Sequence, residues 1–175
     1  MSLMLFVCTG NVCRSPFAER YARLVAERAA VTGWTFASAG AGALVGSGMD
    51  RCMATELQQL GGDPEGFRAR SLSRDVIGSA DLIVGMETFH RSYVLDDFPG
   101  LVRRTFTLGQ LARVAREHPP EEHGTELLQA IGAFRHRARE EDDVPDPYRR
   151  GQDVAHQVAT RIAALLDELV PRLAD

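Results

Sequence analysis

The run Leu3-Met4-Leu5-Phe6-Val7, leading into Cys8-Thr9-Gly10-Asn11-Val12-Cys13-Arg14-Ser15-Pro16, constrains this chain more than any other stretch. An apolar, strand-like segment stops abruptly at small and polar residues. Phe17, Ala18, Tyr21, Ala22, Leu24, Val25 and Ala29 then recur at helical spacing, predicting an amphipathic helix to about residue 31. Strand, loop and helix in that order open a parallel α/β sheet, because parallel strands need a crossover that a helix normally supplies.

The loop itself has chemical consequences. Cys8 stands at the carboxyl end of the strand and Arg14 at the start of the helix, and the backbone N–H groups between them are free to converge on one point. Such a nest at a helix amino terminus carries positive potential and favours a dianion such as phosphate. A thiol at its centre is favoured as thiolate, the nucleophilic form, so Cys8 facing a phosphoryl group is half of a phosphoryl-transfer mechanism. A Cys-x5-Arg spacing alone is weak in a chain whose 20 basic residues are all arginine. Context strengthens it: Gly10 permits close backbone approach, Asn11 tolerates a left-handed turn, and Pro16 suits the first turn of a helix.

The rest of the chain repeats the alternation. Trp34 to Ser38 reads as a second strand, followed by a glycine-rich loop from Gly40 to Gly48 and a helix from about Asp50 to Leu60. Gly61 to Arg74 reads as a polar loop in which Arg68 and Arg70 are surface arginines. Asp81 to Met86 is a strand, Glu87 to Leu95 a helix, and Arg103 to Thr107 an edge-side fourth strand. Residues from about Ala112 to Asp143 are the least patterned, with a break at Pro119-Pro120, a helix over Glu126 to Glu140 and an acidic run, Glu140 to Asp143, expected to be solvated. A terminal helix follows Asp146-Pro147-Tyr148. The expectation is one domain over residues 1–175: α/β, a four-stranded parallel sheet with helices on both faces, and the phosphate loop after the first strand.

A formal charge of −4 gives no reason to expect nucleic acid as a partner. No stretch approaches the ~20 apolar residues of a membrane span, so no membrane insertion is expected. The absence of a secretory pattern and an odd cysteine count fit a cytoplasmic, reducing compartment. His118, His123 and His136 lack the thiol or carboxylate spacing of a metal site, and neither metal nor cofactor is expected.

Val7 to Pro16 resembles the phosphate loop of the low-molecular-weight protein tyrosine phosphatases. Ser38-Ala39-Gly40-Ala41-Gly42-Ala43-Leu44-Val45-Gly46 resembles the second loop of the bacterial branch associated with exopolysaccharide tyrosine kinases, and Val144-Pro145-Asp146-Pro147-Tyr148-Arg149 resembles its acid loop. With Ala80 to Glu87, the likeness spreads over most of residues 3 to 170. It implies hydrolysis of protein phosphotyrosine through a phosphocysteine intermediate, with Cys8 as nucleophile, Arg14 binding two phosphoryl oxygens and Asp146 as general acid and then base. It further implies that Thr9, Gly10, Asn11, Val12, Cys13 and Ser15 line or brace the phosphate loop, Ser15 through a hydrogen bond to the Cys8 sulfur. Tyr148 and Leu44 would be the walls facing the substrate ring, Leu44 where the family often has an aromatic residue. The implied partner is a phosphotyrosine protein, with a polysaccharide-export tyrosine kinase as candidate.

Three other readings share parts of this pattern. A thioredoxin-coupled arsenate reductase needs relay thiols, and Cys52 is the only cysteine outside the loop. Protein-arginine phosphatases carry threonine where this chain has Val12, and an apolar Val12 favours a phenyl ring over a guanidinium. A non-catalytic phosphotyrosine-binding module would have no use for Asp146. Finally, Cys13 lies close enough along a curled loop to trap oxidised Cys8 as a disulfide, making it a candidate resolving cysteine.

Overall fold

The computed structural model describes residues 1–133 and 137–174. Four strands, β1 (Ser2–Cys8), β2 (Trp34–Gly40), β3 (Leu82–Gly85) and β4 (Thr105–Thr107), form one parallel sheet in the order β2-β1-β3-β4. The helices are α1 (Arg14–Arg28), α2 (Arg51–Gln59), α3 (Arg74–Gly78), α4 (Thr88–Asp97), α5 (Leu108–Glu117), α6 (Gly124–Ala133) and α7 (Gln152–Leu169). This is the expected fold class, including β4 at an edge.

Strand periodicity sorts β1 between two cores. Met4, Phe6 and Cys8 face the larger one with Phe17, Leu57, Leu111, Ile162 and Leu166, while Leu5 and Val7 face a smaller one with Ala39, Ile77, Ile83 and Val94. Burial on both faces explains the unbroken apolar run, as expected for a central parallel strand. Tyr21 Oη donates to the Asp167 carboxylate at 3.0 Å, tying α1 to α7.

Several boundaries differ from expectation for local reasons. Helix α1 ends at Arg28 rather than near residue 31 because Ala30 takes φ 53°, and the Val31 and Ala30 N–H groups turn back to the carbonyls of Ala26 and Glu27. That is a Schellman stop with alanine where glycine is usual. Arg103 and Arg104 belong to a 3-10 turn begun at Pro99, so β4 is only three residues long. Helix α5 went unread, although Thr107 and Gln110 form the reciprocal cap that marks a helix start. Among the described residues the helix expected over Glu126 to Glu140 stops at Ala133 and residues 137–139 are not helical; positions 134–136 of that expectation, His136 among them, lie outside the described residues.

The acidic run is a correction. Asp142 is 3% exposed, and its carboxylate accepts from Arg113 Nε at 3.0 Å and Nη2 at 2.9 Å. Asp143 Oδ1 accepts from the Thr88 N–H at 2.7 Å and its hydroxyl at 2.9 Å. Gly109 makes room: a Cβ there would lie 2.4 Å from the Asp142 carbonyl oxygen. These residues fasten the chain just before Asp146 rather than solvating a surface.

Candidate active site

The loop from Cys8 to Arg14 is turned by Asn11, which takes φ 52°, the left-handed conformation its short amide tolerates. The carbonyls of Cys8, Thr9, Gly10 and Val12 point outward and accept from the N–H groups of Ala41, Gly42, Leu44 and Asp50 at 3.0, 2.9, 3.0 and 2.7 Å. The N–H groups of Gly10, Asn11, Val12 and Cys13 donate to no carbonyl or side chain among the described residues. Carbonyls held outward and donors left over are what a nest for an anion requires. Gly40 permits the apposition of the two loops, since a Cβ there would lie 2.4 Å from the Thr9 carbonyl oxygen.

Behind the loop, a hydrogen-bond network has its directions fixed by a carboxylate at one end and by an amide nitrogen, which can only donate, in the middle. Glu19 accepts from the Ser38 hydroxyl at 2.6 Å, so Ser38 Oγ accepts from Asn11 Nδ2 at 3.0 Å. Asn11 gives its other amide hydrogen to Ser15 Oγ at 2.9 Å, which leaves the Ser15 hydroxyl hydrogen for Cys8 Sγ, also at 2.9 Å. Asn11 Oδ1 accepts from the Arg70 N–H at 2.9 Å, and Arg70 Nε donates to the Ser38 carbonyl at 2.8 Å. Arg70, expected to be an ordinary surface arginine, therefore braces the loop. Nothing in its local sequence announces this, because the partner lies 59 positions away.

Arg14 is 2% exposed. Its Nη1 donates to Glu87 at 2.7 Å and to the Val144 carbonyl at 2.9 Å, and its Nη2 lies 3.4 Å from Asp146 Oδ1. Arg14 Nε is buried and has no hydrogen-bond partner among the described residues. One edge of the guanidinium is thus anchored, while on the other Nε has no hydrogen-bond partner among the described residues and Nη2 has the longer Asp146 contact. Val144 also donates to the Met86 carbonyl at 2.8 Å, so the chain reaching Asp146 hangs from β3 and from Arg14.

Glu87 and His90 escaped the sequence reading. They form the cap of α4, in which the Glu87 N–H donates to His90 Nδ1 at 3.1 Å. With Nδ1 accepting, the imidazole proton sits on Nε2 and is donated to Thr9 Oγ1 at 3.0 Å. Burial, aided by the Arg14 cation, pulls the His90 pKa down to about 4, so the ring is neutral at physiological pH. A Glu-x-x-His pair at the start of a helix pattern was the available signal.

Cys8, Thr9, Gly10, Val12, Cys13, Arg14, Leu44, Asp146 and Tyr148, all expected at the site, line with Gly42 one cavity of about 180 Å³. Asn11 and Ser15 lie beneath it, fully buried. Tyr148 and Leu44 flank the mouth, 37% and 44% exposed. None of the three cysteines is joined in a disulfide. Burial pushes the Cys13 thiol far up, with the Asp50 charge adding to it, which keeps the sulfur protonated and opposes its attack on an oxidised Cys8. Among the described residues no cluster of side chains could hold a metal ion, and no helix is long and apolar enough to cross a membrane.

The chain is similar to known proteins over most of its length. The family model for low molecular weight phosphotyrosine protein phosphatases matches residues 3–119. The chain is 29% identical over 170 residues to the low molecular weight protein-tyrosine-phosphatase Etp of Escherichia coli K12, covering 97% of this chain and 93% of the relative. It is 34% identical over 157 residues to Wzb of Salmonella typhimurium, covering 90% and 84%. Among solved structures, a low molecular weight protein tyrosine phosphatase from T. tengcongensis superposes with TM-score 0.77 at 26% identity, covering 97% of this chain and 98% of the other. An arginine phosphatase, YwlE of Geobacillus stearothermophilus, gives 0.75 at 25%, covering 99% and 93%.

Proposed function

The chain belongs to the low molecular weight phosphotyrosine protein phosphatase family, and from that premise we propose that it hydrolyses protein phosphotyrosine with Cys8, Arg14 and Asp146 as its catalytic residues. Arg14 carries the proposal: a buried guanidinium anchored on one edge, with Nε unpartnered and Nη2 turned toward Asp146, in the same cavity as the Cys8 sulfur. Those two donors suit two phosphoryl oxygens bidentately, and the free loop N–H groups suit the third.

In the first step Cys8 sulfur attacks phosphorus, the bond from phosphorus to the phenolic oxygen breaks, and Asp146 gives its proton to the departing oxygen, releasing tyrosine. In the second, Asp146 as carboxylate takes a proton from water, whose oxygen attacks phosphorus. The phosphorus–sulfur bond breaks, inorganic phosphate leaves, and the sulfur returns as a thiolate that the Ser15 hydroxyl stabilises. Tyr148 and Leu44 form the walls for the substrate ring, and Val12 closes the loop side. Cys8→Ser is expected to abolish phosphate release from an aryl phosphate, and Asp146→Ala to slow it by roughly 10²–10⁴. Retained turnover in Cys8→Ser would overturn the mechanism.

The structural likeness to an arginine phosphatase makes a second substrate class concrete. The apolar Val12 wall supports phosphotyrosine, and parallel assays on phosphotyrosine and phosphoarginine peptides decide the matter; preference for phosphoarginine would reverse the substrate assignment. The proposed protein substrate is a tyrosine kinase of polysaccharide export, supported by resemblance to that bacterial branch, and the proposed location is the cytoplasm, supported by the need for a reduced Cys8. Capture of phosphoproteins from lysate by the Asp146→Ala protein tests the partner, and recovery of no such kinase would count against it.

A further inference from the structure

Across the edge of β2 from the catalytic cavity lies a second hollow, about 390 Å³, walled by α1 on one side and the segment from Gly66 to Arg70 on the other. Arg20, Arg23, Arg68 and Arg70 line it, and Glu19 is its one carboxylate. Four guanidinium groups against one carboxylate leave an excess of positive charge. Among the described residues these arginines satisfy themselves largely on backbone oxygens: Arg20 on Asp63, Arg23 on Phe36, Arg68 on Phe67 and Arg70 on Ser38. A carbonyl accepts a hydrogen bond but cancels no charge. Arg20 Nε adds an independent sign, since it is buried without a hydrogen-bond partner, with Glu19 Oε1 at 3.9 Å, an ion-pair distance too long for a hydrogen bond.

We propose that this hollow is a binding site for a small multivalent phosphate anion, and that its occupancy acts on the catalytic loop. The class follows from the lining. Several forked donors around one concavity match phosphate oxygens. Phe67, the aromatic residue present, is 5% exposed and covered by Arg20 at 6.0 Å, leaving no open ring face for a nucleobase. The coupling follows from Glu19, which accepts from Arg23 on the hollow side and from Ser38 on the other. Ser38 accepts one hydrogen of the Asn11 amide, whose other hydrogen goes to Ser15, the donor to Cys8 Sγ. An anion that draws Arg23 away from Glu19 changes the acceptor on which Ser38, and through it the Asn11 amide, is anchored. Arg70 adds a second route, since its side chain lines the hollow while its N–H holds Asn11.

The test is tripolyphosphate binding, followed by calorimetry at low salt with the Cys8 cavity occupied by benzylphosphonate. One tripolyphosphate per wild-type chain is expected, and at least about tenfold weaker binding by the Arg20→Gln/Arg68→Gln protein, the loss of one charge-assisted contact or more. Neither side chain touches the catalytic loop, so without tripolyphosphate that variant should keep kcat and KM for 4-nitrophenyl phosphate within about twofold. Tripolyphosphate should shift wild-type kcat at saturating substrate and leave the variant's kcat unmoved. Absence of binding in the blocked wild type, or equal binding by both proteins, overturns the site; binding with unmoved kcat overturns the coupling. Should the double variant fail to fold, Arg68→Gln alone, whose donation is to its own neighbour's carbonyl, should weaken binding in the same direction, and unchanged affinity there also overturns the site.

Discussion

The phosphate loop and the acid loop meet in one cavity but are held by opposite means. From Cys8 to Ser15 every residue except Thr9 and Gly10 is buried, and the loop is braced from within by Asn11 and by the carbonyls turned to its neighbour. The segment from Pro145 to Arg150 is mostly exposed, with the Asp146 side chain at 51%. It is fixed by what precedes it: Val144 on Met86 and Arg14, Asp143 on Thr88, and Asp142 on Arg113. An oxyanion nest needs fixed dipoles, and that demands internal bracing. The two proton transfers proposed for Asp146 need access to water, and that favours a loop hung from its flank.

Three measurements can break or sharpen this contrast. The largest effect belongs to Arg14→Lys, which keeps a charge but loses the fork; kcat/KM for an aryl phosphate should fall about 10³-fold, and a loss below tenfold would mean the loop N–H groups hold the phosphoryl group without it. Next comes His90, whose pKa of about 4 in the folded chain lies below its ordinary value. The unfolded chain then binds a proton that the native one refuses, so stability is complete above about pH 6.5 and declines as pH falls toward 4, by roughly 3 kcal/mol in all. Thermal unfolding across that window should show the decline in wild type and a flatter profile in His90→Gln; parallel profiles would assign the acid sensitivity elsewhere. Smallest is Asp142→Asn, which loosens the flank of the acid loop while leaving the nest alone. It should lower kcat about tenfold with inorganic phosphate inhibiting as before, and a weakened phosphate affinity would show that the two loops are not held separately.

The same contrast decides what the sequence could reveal. The phosphate loop is contiguous, its signals are local, and Cys8, Arg14 and the left-handed Asn11 were all legible from type and spacing. The alternation of strands and helices gave the sheet for the same reason. Arg70, Glu87 and Asp142 were misread or missed because each acts on a partner 59, 73 or 29 positions away, and nothing in a local pattern reports a contact at that range. The presence of Asp146 in the cavity was expected only through family resemblance, since an Asp-Pro pair alone reads as a turn. The acidic run shows the converse error: four carboxylates in a row suggest solvation, yet the two nearest the acid loop are the ones the fold uses.

The pairing of Arg113 with Asp142 closes the neck of a long excursion between α5 and the acid loop. Its span of 29 positions includes α6, which seats Leu127 and Ile131 in the core, so added chain is best tolerated at the exposed turn around Pro119, Pro120 and Glu121, with the clasp still holding the far end. Closing a flexible loop costs only about 0.6 kcal/mol more for each doubling of its length, so that turn between α5 and α6 is where a designer can graft a new segment while the clasp keeps the flank of the acid loop in place.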